Sequence, residues 1–213
     1  IIGLPRSGST LIESILTSSE EKLFSFGECH VFNMSILEQI SPKIYSEKFD
    51  NKKFELTINY KDLKKSTMQK YSQFFEIKNK KFIDKSLENI FNIELIKNIY
   101  PRAKFIHTFR NPLDSIISIY QSMLPDLSWT HTIEDILIYI DNYYKVLKYF
   151  KSKYPDIIMD INLEKFTQNS GELSKKIFNF CELTWTENVL NYYKRKDLYS
   201  KTLSFNQIRS KVL

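Results

Sequence analysis

The sequence contains few of the residues that support disulfide, metal or membrane-spanning structures. Its 213 residues include 2 cysteines and 3 histidines, which excludes a disulfide framework and argues against a metal centre. With 4 glycines and 6 prolines, the chain is neither fibrous nor of low complexity. Its longest uncharged stretch near the middle, residues 115–125, is far shorter than the roughly 18 to 20 apolar residues of a membrane span. Together with the absence of a signal-peptide pattern in this stretch, these features favour a cytoplasmic location.

What the chain does have is apolar surface and an excess of positive charge. Hydrophobic residues make up 42% of it, enough for one ordinary domain over residues 1–213. The 31 Lys and Arg residues against 25 Asp and Glu give a formal net charge of +6. A positive cleft concentrates anions, so an anionic partner is favoured, although lysines spread over a solvated surface would give the same total.

Helix and strand patterns alternate along the chain. Apolar residues recur at helical spacing in residues 10–18, 60–75, 90–100, 135–154 and 173–180. Short β-branched or aromatic runs predict strands at 81–84, 103–109 and 157–161. A strand, a helix and a second strand in that order form a parallel crossover unit, so the pattern predicts an α/β fold with a parallel sheet.

The first ten residues predict an anion-binding loop between a strand and a helix. Gly3 and Gly8 have the spacing of the nucleoside-triphosphate loop G-x-x-x-x-G-K-[ST], but Ser9 occupies the place of the lysine and the cation comes earlier, as Arg6. This departure weakens the case for ATP hydrolysis and favours a different phosphoanhydride. A plain structural turn is the alternative. Because a strand averages about 5 or 6 residues, we expect the natural chain to begin upstream of Ile1.

A second anion site is predicted after the strand at 103–109. Arg110 follows this strand directly, and Asn111 can cap the next helix, so the guanidinium is held at a defined corner. Three hydroxyls share a face of that helix: Ser115, Ser118 and Ser122. A planar guanidinium beside hydroxyls suits a phosphate monoester. The alternative is that Arg110 pairs with Asp114 while the serines face solvent.

These two segments resemble the 5′-phosphosulfate loop and the 3′-phosphate motif of sulfotransferases that use 3′-phosphoadenosine 5′-phosphosulfate (PAPS). Further motifs follow in the family's order: Phe26-Gly27-Glu28, and residues 82–85, 100–104 and 201–209. The chain is most similar to the bacterial branch often fused to TPR repeats, which resembles tyrosylprotein sulfotransferases. The resemblance implies a P-loop NTPase-like three-layer α/β fold, whose central parallel sheet is flanked by helices. It also implies PAPS as cosubstrate, no metal, a hydroxyl acceptor on a peptide, glycan or small alcohol, and an upstream TPR region.

The resemblance assigns roles residue by residue. The 5′-phosphosulfate would be held by Arg6, Ser7, Gly8, Ser9 and Thr10, the 3′-phosphate by Arg110 and Ser118, and the closed nucleotide by Gln207 and Arg209. The catalytic set would be Glu28 as general base, Lys85 and Arg6 as charge-stabilising cations, and Ser204 near the bridging oxygen. The chain departs from the family pattern where Leu163 precedes Glu164 in place of a tyrosine. It also stops at Leu213, so the closing segment is expected to be incomplete.

The proposed base has rivals. The apolar sequence neighbours of Glu28 would make its carboxylate more basic, whereas a solvated carboxylate at a helix start is the alternative. His30 lies two residues away, and His107 alternates with Ile106 in a strand that predicts a core histidine. For Lys85, a salt bridge to a neighbouring acid such as Asp84 or Glu88 is the structural alternative.

Two other functions fit parts of the pattern. A small-molecule kinase or NTPase would use the same loop with Mg²⁺ and ATP. A nucleic-acid binding module would use the positive charge, but it needs basic residues clustered with exposed aromatics, and here lysines are dispersed, so no nucleic-acid partner is expected. Trp129, Trp185 and the tyrosines of residues 139–154 could line an acceptor cleft, although at helical spacing they are more typical of a core.

Overall fold

Parallel strands form the centre of the fold. The computed structural model describes residues 1–21, 23–45, 57–73, 76 and 80–194. The strands are β1 (Ile2–Gly3), β2 (Phe24–Ser25), β3 (Phe82–Ile83), β4 (Phe105–Phe109) and β5 (Ile158–Asn162). One ladder has the order β1-β4-β5 and the other pairs β2 with β3, all parallel. The backbone nitrogen of Ile1 donates to the carbonyl oxygen of Asp84 at 2.7 Å, so the end of β3 lies beside the start of β1.

Helices alternate with the strands along the chain. They are α1 (Ser9–Thr17), α2 (Val31–Ile44), α3 (Tyr60–Ser72), α4 (Ile93–Ile99), α5 (Pro112–Ser122), α6 (Ile133–Lys153), α7 (Leu163–Gln168) and α8 (Ser170–Phe180). Single or double turns of 3₁₀ helix cover Leu87–Asn92, Ser128–Thr130 and Glu187–Lys194. No helix in the described ranges combines the length and apolar character needed to cross a membrane.

The sheet separates two apolar cores. Ile2 and Phe105 pack on one face with residues of α2 to α6, whereas Ile106 and Ile161 pack on the other with residues of α1, α7 and α8. Alternate residues of a strand point to opposite faces, which explains why neighbours in β4 belong to different cores. The chain therefore has the predicted α/β architecture, a central parallel sheet flanked by helices.

Side-chain caps explain where several helices begin. The Oδ1 atom of Asn111 accepts from the backbone N–H of Leu113 at 2.9 Å and begins α5, with Pro112 at the first helical position. Thr132 and Asn162 cap α6 and α7 in the same way. The helix predicted over residues 90–100 is different in detail, because its first part is 3₁₀ helix and only Ile93–Ile99 is α-helical.

Candidate active site at the carboxyl ends of the strands

Every strand delivers a candidate residue at its carboxyl end. β1 leads into the loop of residues 3–10, β2 into the turn that carries Glu28, and β3 into Lys85; β4 is followed by Arg110, and β5 by Leu163 and Glu164. Ligands of open parallel sheets bind at this edge, because the strand termini and the first turns of the following helices converge there. The fold thus gathers segments that are more than 100 residues apart in sequence.

The loop between β1 and α1 is tightly built. Gly8 caps α1 in the left-handed region, with φ 90°, and Arg6 also has a positive φ, 66°. A Cβ on Gly3 would lie 2.6 Å from the carbonyl oxygen of Thr108, so only glycine lets β1 lie this close to β4. The Ser7 and Thr108 hydroxyls are hydrogen-bonded at 2.8 Å. The N-terminus of α1, which is the positive end of its dipole, faces the loop. No acidic residue in the first turn of α1 offsets this positive charge.

Two arginines meet at this loop. The Nε atom of Arg6 donates to the hydroxyl of Ser118 on α5 at 3.2 Å, and Nη1 of Arg110 lies 3.5 Å from the carbonyl oxygen of Arg6. Burial, and secondly the charge of Arg110, lower the pKa of Arg6. Arg110, whose side chain is 26% exposed, also lies 3.7 Å from the exposed carboxylate of Asp114, four residues later. The two predicted anion sites are therefore adjacent, and Arg6 bridges them.

The three serines on α5 have different hydrogen-bond partners. Only Ser118 of the three bonds to Arg6. The hydroxyls of Ser115 and Ser122 donate to the carbonyl oxygens of Asn111 and Ser118, one turn earlier in the same helix. Such back-bonding is the usual solution for a serine inside a helix. Ser118, which the resemblance assigns to the 3′-phosphate, is therefore the one of these three serines that meets Arg6.

Lys85 is enclosed by two carboxylates. Its side chain is 1% exposed, and Nζ donates to Oε1 of Glu28 at 2.6 Å. Oε2 of Glu13 on α1 lies 3.8 Å from the same nitrogen. The other oxygen of Glu13 accepts from the hydroxyl of Ser25 at the end of β2. The sequence alternative for Lys85, a pair with Asp84 or Glu88, is therefore wrong: the partners are acids distant in sequence, which sequence neighbours do not reveal.

The surroundings of Glu28 also differ from the expectation. Its side chain is 39% exposed and paired with Lys85 rather than enclosed by its apolar sequence neighbours. The ring of Phe26 packs against Tyr71 and Phe82. The carboxylate is accordingly open to a ligand on one side and held by a buried cation on the other.

The two histidines considered as bases occupy different environments. His30, 52% exposed, pairs through Nδ1 with Glu88. His107 is buried in the middle of β4, and its Nδ1 lies 2.7 Å from Oδ1 of Asp160 on β5. Burial lowers the pKa of His107 against the opposing effect of Asp160. The prediction of a core histidine at 107 is confirmed.

Asp84 anchors the segment that carries Lys85, a role that sequence reasoning missed. One oxygen accepts from the hydroxyl of Tyr71 at 2.5 Å and faces the thiol of Cys29 at 3.4 Å; the other accepts from the N–H of Ser86 at 2.8 Å. Burial and the nearby carboxylate raise the pKa of Tyr71 well above its ordinary value. An aspartate that ends a strand beside a lysine was the available signal, but the tyrosine is in α3 and no pattern links it to β3.

Glu164 holds the turn after β4 in place. Its Oε1 accepts from the backbone N–H of Asn111 at 2.8 Å, which fixes the turn after Arg110. Burial opposes ionisation, yet hydrogen bonds from backbone groups and the charge of Arg110 hold the pKa of Glu164 below its usual range. An open cavity of about 460 Å³ adjoins this contact and is lined by Asn111, Asp114, Asn162, Glu164, Lys165 and Gln168. Leu163, where the resemblance expects tyrosine, packs against Gly8.

Some predicted residues are not in the described part of the chain or do not meet the site. Ser204, Gln207 and Arg209 lie outside the described residues. Trp129 stacks on Tyr139 with ring centroids 3.7 Å apart, and the indole N–H of Trp185 donates to Ser174 at 2.9 Å, so both rings have packing partners. Within the described ranges, no three His, Cys, Asp or Glu side chains are grouped so as to hold a metal ion.

Comparisons with known proteins relate the chain to one family and to one solved fold. Residues 1–187 match the model of the sulfotransferase family. An uncharacterized protein of Aquifex aeolicus (strain VF5) is 30% identical over 225 residues, which cover 98% of this chain but 28% of that protein. The chain thus spans less than a third of this relative's length. The sulfotransferase domain from the curacin biosynthetic pathway superposes with a TM-score of 0.64 at 18% identity, over 92% of this chain and 78% of that domain; this likeness concerns the fold.

Proposed function

The chain belongs to the sulfotransferase family, and we propose that it moves a sulfuryl group from PAPS to an acceptor hydroxyl with Glu28 as the general base. The observation that carries the proposal is the grouping, at one sheet edge, of an arginine-lined anion loop and an open carboxylate bound to a buried lysine. In this proposal the acceptor hydroxyl belongs to a protein tyrosine, a carbohydrate or a small alcohol. The finer assignment, to the bacterial branch often fused to TPR repeats and similar to tyrosylprotein sulfotransferases, rests on the motifs alone.

The loop and the residues after β4 fit a nucleotide that carries two separate anionic groups. The positive end of α1 and the side chains of Ser7, Ser9 and Thr10 suit a 5′-phosphosulfate. Arg110 with Ser118 suits a 3′-phosphate, and Arg6 lies between the two groups. Burial, and secondly the charge of Arg110, lower the pKa of Arg6, and a bound anion would offset both effects.

The ion pair of Glu28 and Lys85 supplies the groups that the transfer step needs. Glu28 would take the proton of the acceptor hydroxyl while the acceptor oxygen bonds to sulfur and the bond from sulfur to the bridging oxygen breaks. Lys85 and Arg6 would neutralise the charge that develops on the departing 5′-phosphate, leaving 3′-phosphoadenosine 5′-phosphate (PAP) as product. Sulfuryl transfer requires that the acceptor and the donor be positioned and that developing charge be stabilised, and it requires no covalent bond to the protein.

The kinase alternative is not favoured. A P-loop kinase places a lysine on the β- and γ-phosphates, and Ser9 occupies that position here. The family match also points to sulfuryl transfer. The two readings differ in ligand preference: PAP alone should raise the Tm of the sulfotransferase, whereas ADP with Mg²⁺ should raise that of a kinase.

A pair of variants tests the base. Incubated with labelled PAPS and a panel of peptide, glycan and alcohol acceptors, the wild-type protein should transfer label, and Glu28→Gln should lose about 10²-fold or more of kcat. PAP should still bind to Glu28→Gln, because the carboxylate is not part of the anion loop. His30→Ala is the matched control, since this exposed side chain is paired with Glu88. Near-normal turnover by Glu28→Gln together with an inactive His30→Ala would assign the base to the histidine.

A further inference from the structure

Glu13 adds a second carboxylate to the proposed catalytic ion pair. It lies on α1, one turn after the anion loop, and its side chain is 11% exposed. One of its oxygens accepts from the Ser25 hydroxyl, and the other lies 3.8 Å from Nζ of Lys85. Nothing in its sequence position distinguishes this glutamate from an ordinary residue of an amphipathic helix. In the structure, it is buried beside the cation that Glu28 also binds.

The formal charges of Glu13, Glu28 and Lys85 do not cancel. With both carboxylates ionised and Lys85 protonated, their sum is −1, although Lys85 and Glu28 alone would be neutral. Lys85 is 1% exposed and cannot exchange a lost partner for water. Glu28, at 39% exposed, can be hydrated without leaving its place. The buried lysine therefore depends more on its carboxylates than Glu28 depends on the lysine.

We propose that Glu13 is a positioning residue that keeps Lys85 charged and in place when Glu28 takes up the acceptor proton, an inference that rests on the proposed function. Proton transfer to Glu28 removes the negative charge at 2.6 Å from Nζ. Without Glu13, this step would leave a buried ammonium with no opposing charge among the three groups, which is strongly unfavourable. With Glu13 ionised, the same step changes the sum from −1 to 0.

Backbone contacts fix Glu13 to the turn that carries Glu28. The Ser25 hydroxyl that donates to Glu13 also accepts from the N–H of Gly27 at 3.1 Å. The carbonyl oxygen of Gly27 in turn accepts from the N–H of Lys85 at 2.9 Å. These bonds link β2, β3 and α1 around the three charges, so the carboxylate of Glu13 cannot swing away without breaking one of them. A side chain that only filled space would need no such chain of hydrogen bonds.

Kinetics of Glu13→Gln test this role. The variant keeps the size of the side chain and an acceptor for Ser25 but removes the charge. We expect kcat for sulfuryl transfer to fall by about tenfold or more with the Kd for PAP unchanged, as for an interaction that matters in the transition state. The control is Glu172→Gln, which removes the acid of an exposed pair with Lys176 at 2.5 Å and should leave kcat unchanged. A kcat of Glu13→Gln equal to that of the wild type overturns the proposal.

Thermal unfolding gives a readout that does not depend on activity. In Glu13→Gln and in Glu28→Gln, Lys85 retains one carboxylate; in the double variant it has neither. The loss of Tm in the double variant should therefore exceed the sum of the two single losses, and additive losses overturn the proposal. Should the double variant not fold, Ser25→Ala replaces it: this change leaves all three charges but frees Glu13, so kcat should fall with PAP binding intact, and an unchanged kcat overturns the proposal.

The two levels of the proposal fail in different ways. A wild-type protein that neither binds PAP nor transfers label from PAPS overturns the proposed function, and the role of Glu13 with it. A wild-type protein that transfers label, beside a Glu13→Gln variant of equal kcat, overturns the role of Glu13 alone.

Discussion

Replacing Gly8 by alanine tests whether the anion loop has the strained geometry on which the donor site depends. Gly8 has φ 90°, a conformation that costs an L-residue about 1–2 kcal/mol. Its new Cβ would lie 2.6 Å from Cδ1 of Leu163, the far end of a flexible side chain. Turning Leu163 off its rotamer adds about 0.5–1.5 kcal/mol. The sum is about 1.5–3.5 kcal/mol, and at roughly 2–4 °C per kcal/mol for a chain of this size, Tm should fall by about 3–14 °C.

Two further variants separate the strain from the collision. In the background of Leu163→Ala the collision disappears, so Gly8→Ala should there cost only the backbone strain, about 1–2 kcal/mol. Gly171→Ala is the matched control: this glycine is in α8, its added Cβ would have an ordinary contact at 4.0 Å from Leu190, and the change should be neutral or slightly stabilising. The assay is thermal unfolding, with calorimetric titration of PAP, whose affinity should fall for Gly8→Ala because the loop N–H groups no longer converge. A Gly8→Ala protein with the wild-type Tm and PAP affinity would refute the reasoning.

Two other predictions concern buried charges. Lys85→Met should lower kcat by about 10²-fold and also lower Tm, because Glu13 loses its cation; adding Glu13→Gln should restore part of the lost Tm, which unfolding scans of both variants would check. His107 titrates below its ordinary value of 6.5 because it is buried. The unfolded chain therefore binds a proton that the folded chain does not, so stability falls as the pH drops through that value, and His107→Gln should show a smaller loss of Tm between about pH 7.5 and 5.5. Equal losses in both proteins would mean that other groups cause the acid sensitivity.

The periodic elements of the fold could be predicted from the sequence because their patterns are local. The observed α6 and α8, Ile133–Lys153 and Ser170–Phe180, lie close to the predicted helices at 135–154 and 173–180. The strand predicted at 103–109 is observed as Phe105–Phe109. In contrast, β2 is two residues long and α2 contains Pro42, so neither element has a clear periodic pattern of apolar residues in the sequence. Their position depends on pairing with β3 and packing against α3, which are properties of the folded chain.

In the candidate site too, some residues could be predicted from the sequence and others could not. Arg6 and Arg110 could be predicted because each follows a strand and precedes a helix, and the structure brings both to one loop. The residues that hold the site in place could not, since their partners are distant in sequence: Glu13 with Lys85, 72 positions away as 85 − 13, and Tyr71 with Asp84 across two different elements. A motif records which residues face a ligand. The supporting contacts are set by tertiary packing, and they leave no fixed spacing in the chain.

The net charge of +6 is a poor guide to how the site is charged. At the end formed by β1 and β4, the site has two guanidinium groups near an α-helix N-terminus. At the end formed by β2 and β3, the formal charges of Glu13, Glu28 and Lys85 sum to −1, and the carboxylate of Asp84 belongs to the same segment as Lys85. The guanidinium groups that would bind an anionic donor and the carboxylate that would remove a proton therefore lie after different strands, Arg6 and Arg110 after β1 and β4 and Glu28 after β2. If the donor is PAPS, substitution of Arg110 should act mainly on nucleotide affinity and substitution of Glu28 mainly on kcat, whereas substitution of Arg6, which would also face the departing 5′-phosphate, should change both.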